Sequence, residues 1–206
     1  MLLGFEESKK LLKKYGIIVP DAYFAHSEKE ASGFAKKIGY PLVMKASSPD
    51  IVHKTELKAV SVDISNEKEL KEEYARLSKF KNLEGIILQK QFTGVEMILG
   101  IKKDQTFGPV VMAGMGGIFV ELFKDVTFRA CPVEKDEAKK MLMELKGFKI
   151  LNGFRGKEKA NLEKLADMIQ KLSILGEKED EILGVDLNPV FIDKKGAYIA
   201  DVRIII

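Results

Sequence analysis

Apolar positions near the N-terminus recur first with the spacing of a helix and then with the period of two that marks a strand. Leu11, Leu12 and Tyr15 share one face of a helix expected from about Glu6 to Tyr15, with Gly16 as its stop. Ser27 and Glu30 have capping-box spacing and predict a second helix ending at Gly39. Leu42-Val43-Met44-Lys45 reads as an apolar strand, and Val60-Ser61-Val62-Asp63-Ile64 alternates as another. Asn66 with Glu69 opens a third helix, expected to reach about Lys79, before the buried strand Gly85–Lys90. Helix and strand in alternation predict a small α+β lobe.

From Val95 the pattern turns to consecutive strands. Val95–Ile101 and Pro109–Ala113 are expected to pair antiparallel across Lys102-Lys103-Asp104. Short strands are expected at Phe119–Phe123 and Val126–Ala130, then helices at Glu134–Leu145 and Asn161–Leu175. A closing hairpin has arms Ile182–Ile192 and Ala197–Ile204, joined at Lys194-Lys195-Gly196. The reading is an N-terminal helix over 1–18, a small lobe over 19–91 and a large lobe over 92–206, parting near Gln91-Phe92-Thr93-Gly94. No repeat, low-complexity tract or flexible linker separates the lobes, so they are expected to share an interface.

Composition narrows the function classes. The 206 residues are 46% hydrophobic and 32% charged, enough apolar surface for a proper core. The 34 Lys and Arg nearly balance the 31 Asp and Glu, and the net charge of +3 is scattered along the chain, which argues against nucleic acid or an acidic membrane as partner. No apolar run is long enough for a bilayer, and Met1-Leu2-Leu3-Gly4-Phe5-Glu6-Glu7 lacks a signal-peptide layout. A single cysteine, Cys131, fits the reducing cytoplasm and reads as a buried structural thiol.

Three constellations carry candidate chemistry. In Lys45-Ala46-Ser47-Ser48-Pro49-Asp50-Ile51-Val52-His53-Lys54, a strand-end ammonium precedes a turn bearing one of only 2 histidines. Lysine suits polyphosphate, and imidazole is a nucleophile able to take up a phosphoryl group. The second is Gly114-Met115-Gly116-Gly117-Ile118-Phe119-Val120-Glu121, leading to Arg129: glycines admit backbone N–H groups to phosphate, and arginine clamps it. Its spacing matches neither the P-loop nor the dinucleotide fingerprint, and taken alone it is better explained as a plain turn between strands. The third is the hairpin. Asp186 and Asn188 point to one face, Asp201 lies roughly opposite, and such oxygens suit Mg²⁺. Together they predict one nucleotide phosphate site between two lobes.

These segments, with Tyr15-Gly16-Ile17-Ile18-Val19-Pro20, Ile38-Gly39-Tyr40-Pro41, Phe107-Gly108-Pro109-Val110, Phe128-Arg129 and Asp186-Leu187-Asn188-Pro189, resemble the β subunit of ADP-forming (NDP-forming) acyl-CoA synthetases, acetyl-CoA synthetase among them. The likeness runs over essentially the whole chain. It implies an ATP-grasp fold, with ATP/ADP and Mg²⁺ bound between two α+β lobes. It also implies a CoA-binding α subunit as partner in an α2β2 heterotetramer, and reversible conversion of acyl-CoA, ADP and phosphate into acid, CoA and ATP. By the same resemblance His53 relays the phosphoryl group, Lys45 reaches the nucleotide phosphates, and Asn188 and Asp201 hold Mg²⁺ with Asp186 adjoining. The resemblance also places Glu96 as an acid near the nucleotide, has Arg129 handle phosphate, and puts Gly116, Gly117 and Glu121 at the same site.

The chain departs from the family twice. Leu57-Lys58-Ala59-Val60 stands where Gly-Gly-Val is usual, and Gln89-Lys90-Gln91 where Gln-Glu is common. The first departure keeps open a nucleotide-sensing module without catalysis. A carboxylate–amine ligase is a third reading, but one that leaves His53 without a role.

Overall fold

The computed structural model describes residues 1–48, 58–117, 122–156 and 158–206. They form two compact units, one made of Pro20–Gln91 and the other of Met1–Val19 with Phe92–Ile206.

In the unit Pro20–Gln91, strands β1 (Ala22–Ala25), β2 (Leu42–Ser47), β3 (Val60–Ile64) and β4 (Gly85–Lys90) form a sheet of order β1-β4-β2-β3, antiparallel throughout. Helices α2 (Glu28–Ile38) and α3 (Glu67–Leu77) cover one face. Both start where side-chain caps are available: Ser27 Oγ accepts from Glu30 N at 3.2 Å, and Asn66 Oδ1 from Glu69 N at 3.0 Å. Leu42, Met44 and Ala46 alternate into the helix-side core with Leu70 and Leu77, all fully buried. β2 runs on to Ser47, so Lys45 lies inside the strand and not at its end.

The larger unit is built on one antiparallel sheet of order β10-β8-β5-β6-β7, with β9 also paired to β8. Its strands are β5 (Val95–Asp104), β6 (Gly108–Met115), β7 (Val126–Ala130), β8 (Gly184–Ile192), β9 (Ala197–Ile199) and β10 (Val202–Ile205). Helices α4 (Lys135–Glu144), α5 (Phe148–Leu151) and α6 (Leu162–Lys178) come between β7 and β8 in the chain. On α6, Leu165, Ile169, Leu172 and Leu175 make an apolar stripe. It joins Leu99, Ile101, Val111 and Ala113 of β5 and β6 in one core. The N-terminal helix α1 (Phe5–Lys14) belongs to this unit too, since Leu12, Ile17 and Val19 complete the same core. Gly16 ends it at φ +71°, a left-handed value that glycine adopts without a Cβ clash.

Three details differ from the sequence reading. Lys102, Lys103 and Asp104 continue β5, which is paired on both sides at that point, and the turn falls later. There Asp104 Oδ1 accepts from Thr106 N at 2.8 Å and Phe107 N at 3.0 Å, and Gly108 takes φ +71°. Of the strand expected at Phe119–Phe123, Leu122 and Phe123 are helical, and the remainder lies outside the described residues. The second arm of the closing hairpin is divided into β9 and β10 at Ala200-Asp201, facing the cis Asn188–Pro189 bond of β8.

Burial pushes the Cys131 thiol up to about 11. Alkylation of the native chain at about pH 8 is therefore expected to run at least roughly tenfold slower than in the urea-unfolded chain. Equal rates, read by iodoacetamide labelling and mass spectrometry, would contradict this.

Candidate functional site

Alternation along the strands divides the large sheet into a face covered by α4 and α6 and a face on which, among the described residues, no helix packs. Val111 and Ala113 of β6 are fully buried on the helix side, so their neighbours Val110, Met112 and Gly114 point the other way. Register carries this assignment across the sheet. Gly100 pairs with both Met112 and Asp186, and Asp186 pairs with Arg203. One step along, Asn188 N donates to Asp201 O at 3.3 Å, so these two residues are also directly opposed. Asp186, Asn188, Asp201 and Arg203 thus form a two-by-two polar patch on the helix-free face.

The patch sets two carboxylates beside one guanidinium. Partial burial pushes the Asp186 carboxyl above the usual carboxylate range; nearby Arg203 pulls it down and Asp201 pushes it further up. Arg203 Nε stands 3.9 Å from Asp201 Oδ2.

These donors suit Mg²⁺, the ion that the sequence resemblance implies. Asn188 and Asp201 offer hard oxygens from opposed strand positions, and Mg²⁺ takes one or two such protein ligands beside phosphate oxygens and water. Among the described residues no group of three or more His, Cys, Asp or Glu makes an all-protein cage.

Glu96 lies on the same face of β5, three strand positions from the patch at Phe191 of β8. It is joined there by Gly116 and Gly117. Gly116 N donates to Glu96 O at 2.7 Å, and a Cβ on Gly116 would come within 3.0 Å of the Glu96 backbone and Cβ. Gly117 takes φ +58°, and a Cβ there would stand 3.2 Å from Glu96 Oε2. This turn needs glycine for close approach as well as for dihedral angle. Phe92 stacks on Tyr198 nearby, ring centroids 4.9 Å apart and planes 4° from parallel.

Arg129 is not brought to this face. It pairs with Val111 on the helix side, where Nε donates to Glu137 Oε1 at 2.8 Å and Nη2 to Glu144 Oε1. Those two α4 carboxylates hold the guanidinium charged and raise its pKa further. The expectation that it handles phosphate is corrected: it is a strand–helix clamp. Phe128, its neighbour, occupies the helix-free face instead.

In the smaller unit, Lys45 pairs with Val60 and Ile87 and is only 7% exposed. It points away from α2 and α3, since Leu42, Met44 and Ala46 take the helix side. His53 and the whole run from Pro49 to Leu57 lie outside the described residues, as does Glu121.

Both departures from the family pattern have a structural counterpart. Lys58 takes φ +54°, a region that favours glycine, at a cost of about 1–2 kcal/mol for an ordinary residue. Arg76 offsets it: Nη1 donates to Lys58 O at 2.6 Å, Nη2 to Ser61 Oγ at 2.7 Å, and Nε pairs with Glu73 at 2.8 Å. Lys58 thus holds a backbone conformation that a glycine would adopt without strain. Gln91 is tied to Asp63, whose N donates to Oε1 at 2.6 Å and whose carboxylate accepts from Nε2 at 2.6 Å. Sequence reading passed over Arg203; its position two residues after Asp201, on the same strand face, was the available signal.

The ATP-grasp domain family matches residues 1–206. The chain is 41% identical over 208 residues to the β subunit of ADP-forming acetate–CoA ligase I of Pyrococcus furiosus, covering 97% of this chain and 90% of that subunit. It is also 41% identical to ADP-forming acetate–CoA ligase II of Archaeoglobus fulgidus, matching all of this chain but spanning only 30% of that longer protein. Among solved structures it superimposes on dinucleotide-forming acetyl-coenzyme A synthetase 1 of Ca. Korarchaeum cryptofilum with coenzyme A, Ca-AMPCP and HgCl+ (TM-score 0.92, 39% identity, 100% of this chain and 93% of that one). The same relative with coenzyme A and Mg-AMPPCP, its phosphohistidine segment pointing towards the nucleotide binding site, gives a TM-score of 0.86 at 38% identity over 100% of this chain and 92% of that one. Among the described residues no helix is long and apolar enough to cross a membrane. By full-length match and by fold, the chain belongs to the ATP-grasp domain family.

Proposed function

We propose that this chain is the nucleotide-binding β component of an ADP-forming acyl-CoA synthetase, working with a CoA-binding α component. The observation that carries the reading is the opposed Asn188–Asp201 pair on the same sheet face as Glu96 and the Gly116-Gly117 turn. Relatives of the same length are β subunits, and a structural relative holds Mg-AMPPCP.

In this reading a ring nitrogen of His53 attacks the phosphorus of a phosphohistidine on the α component, whose P–N bond breaks and whose imidazole leaves. The β-phosphate oxygen of ADP then attacks phosphorus, the P–N bond breaks, and ATP leaves with the histidine restored. Lys45 neutralises phosphate charge, and the glycine turn lets backbone N–H groups approach phosphate oxygens. Asn188 and Asp201, with Asp186 beside them, hold the metal. When bound, Mg²⁺ supplies charge neutralisation for phosphate oxygens during transfer. In reverse the same residues pass phosphate from ATP to the α component.

Mixing the two components tests the assignment. ATP formation from acetyl-CoA, ADP and phosphate is expected only when both chains are present, at rates at least about a hundredfold above either alone. Binding of ADP with no turnover in the mixture would turn the reading towards a nucleotide sensor.

A further inference from the structure

Among the described residues Asp125 is the one acid that is buried, at 4% exposure, and the chemistry proposed above does not use it. Both its carboxylate oxygens are taken by backbone at the junction between α4 and α5. Oδ1 accepts from Lys146 N at 2.8 Å, and Oδ2 accepts from Gly147 N at 2.7 Å. Burying a carboxylate is costly, and these two donors offset that cost only while both stay in place. The backbone oxygen of the same residue accepts from Met115 N at 3.0 Å, where β6 ends.

Gly147 makes this arrangement possible. A Cβ there would stand 2.7 Å from Met115 Cγ and 3.1 Å from Asp125 Oδ2, closer than ordinary contact allows. Lys124, just before Asp125, takes φ +47°, a left-handed value that is costly for a residue with a Cβ and persists only where its surroundings dictate it. Met115 leads directly into the glycine turn, and Gly116 N donates to Glu96 O at 2.7 Å. A series of hydrogen bonds, none longer than 3.0 Å, thus runs from Lys146 and Gly147 through Asp125, Met115 and Gly116 to Glu96.

We infer that Asp125 is a positioning residue for the nucleotide: it fixes Met115 and the glycine turn against Glu96, and so sets the affinity for ADP without touching the ligand. This rests on the nucleotide site proposed above and deepens it. Gly116 and Gly117 have no slack beside Glu96, since a Cβ on either would fall within 3.2 Å of it. Any shift of Met115 therefore passes directly into the turn. Asparagine at position 125 has one acceptor oxygen for two N–H donors, so one donor is always left unpaired.

The test measures ADP affinity of the full chain with Mg²⁺ by calorimetry, and KM for ADP and for acetyl-CoA in the two-component assay. Asp125→Asn breaks the clamp at the carboxylate, and Gly147→Ala disturbs it from the opposite side. Both are expected to weaken ADP on the order of tenfold in Kd and KM, while KM for acetyl-CoA stays within about twofold. Ser173→Ala is the control for stability alone, because it removes a buried hydrogen bond elsewhere in the same unit, from Val133 N to Ser173 Oγ at 2.9 Å. It should lower the melting temperature and leave ADP affinity unchanged. If Asp125→Asn and Gly147→Ala weaken ADP no more than Ser173→Ala does, Asp125 is a structural anchor only and the inference falls. An equal rise in KM for acetyl-CoA also overturns it. Should Asp125→Asn not fold, Gly147→Ala decides. Wild-type binding of ADP without turnover in the mixture removes the synthetase reading and leaves this inference to be judged on Kd.

Discussion

His53→Ala is expected to abolish ATP formation by the assembled enzyme, with turnover falling by at least about a thousandfold. In the proposed relay the imidazole nitrogen forms the P–N bond, so its removal leaves no acceptor, and a neighbouring lysine would not replace it because an ammonium at neutral pH has no free lone pair. ADP affinity should change little, since Lys45 and the hairpin oxygens are untouched. The measurement is a phosphorylation assay with γ-labelled ATP, Mg²⁺ and the α component, scoring acid-labile, base-stable label on this chain. Label retained at full level in His53→Ala, or undiminished turnover, would remove His53 from the pathway and leave direct transfer between α component and nucleotide.

Asp201→Ala is the second large effect. The carboxylate stands directly opposite Asn188 and is the one acidic oxygen donor in that row of the sheet. Its loss is expected to cut kcat by about a hundredfold to a thousandfold, the range seen when one electrostatic stabiliser of a transferring group is deleted. Excess metal should recover part of the rate if the loss is one of affinity. Asn188→Ala is expected to do less, because an amide oxygen carries no formal charge. A kcat within threefold of wild type at saturating Mg²⁺ would place the metal elsewhere. Folding is a fair control here, since Asp201 is only partly buried and lies at a break between β9 and β10.

Arg129 shows why a motif and a site are different things. In sequence it follows the glycine-rich run and precedes a helix, as a phosphate clamp would. In the folded chain it stands one residue out of phase with Phe128, so the pleat sends it to the helix side. Glu137 and Glu144 then take all the charge it has to offer. A shift of one residue would have reversed that outcome, and nothing local in the sequence specifies the phase.

Much was legible without coordinates because it depends on short-range chemistry. Ser27–Glu30 and Asn66–Glu69 start their helices through side chains three residues away, and Gly16 stops one by backbone freedom alone. The pairing of Asn188 with Asp201 was also within reach, since a hairpin joined at Lys194–Gly196 leaves a single sensible register. The motif around His53 points to phosphoryl chemistry through residue types in order. Long-range packing decided the rest. It placed α1 in the core with Phe92–Ile206, turned Arg129 away, brought Gly116 against Glu96, and set Arg203 opposite Asp186. Each of those outcomes depends on which strands neighbour one another and in what phase, and that is settled by burying apolar area across the whole sheet, a sum to which no single segment holds the answer.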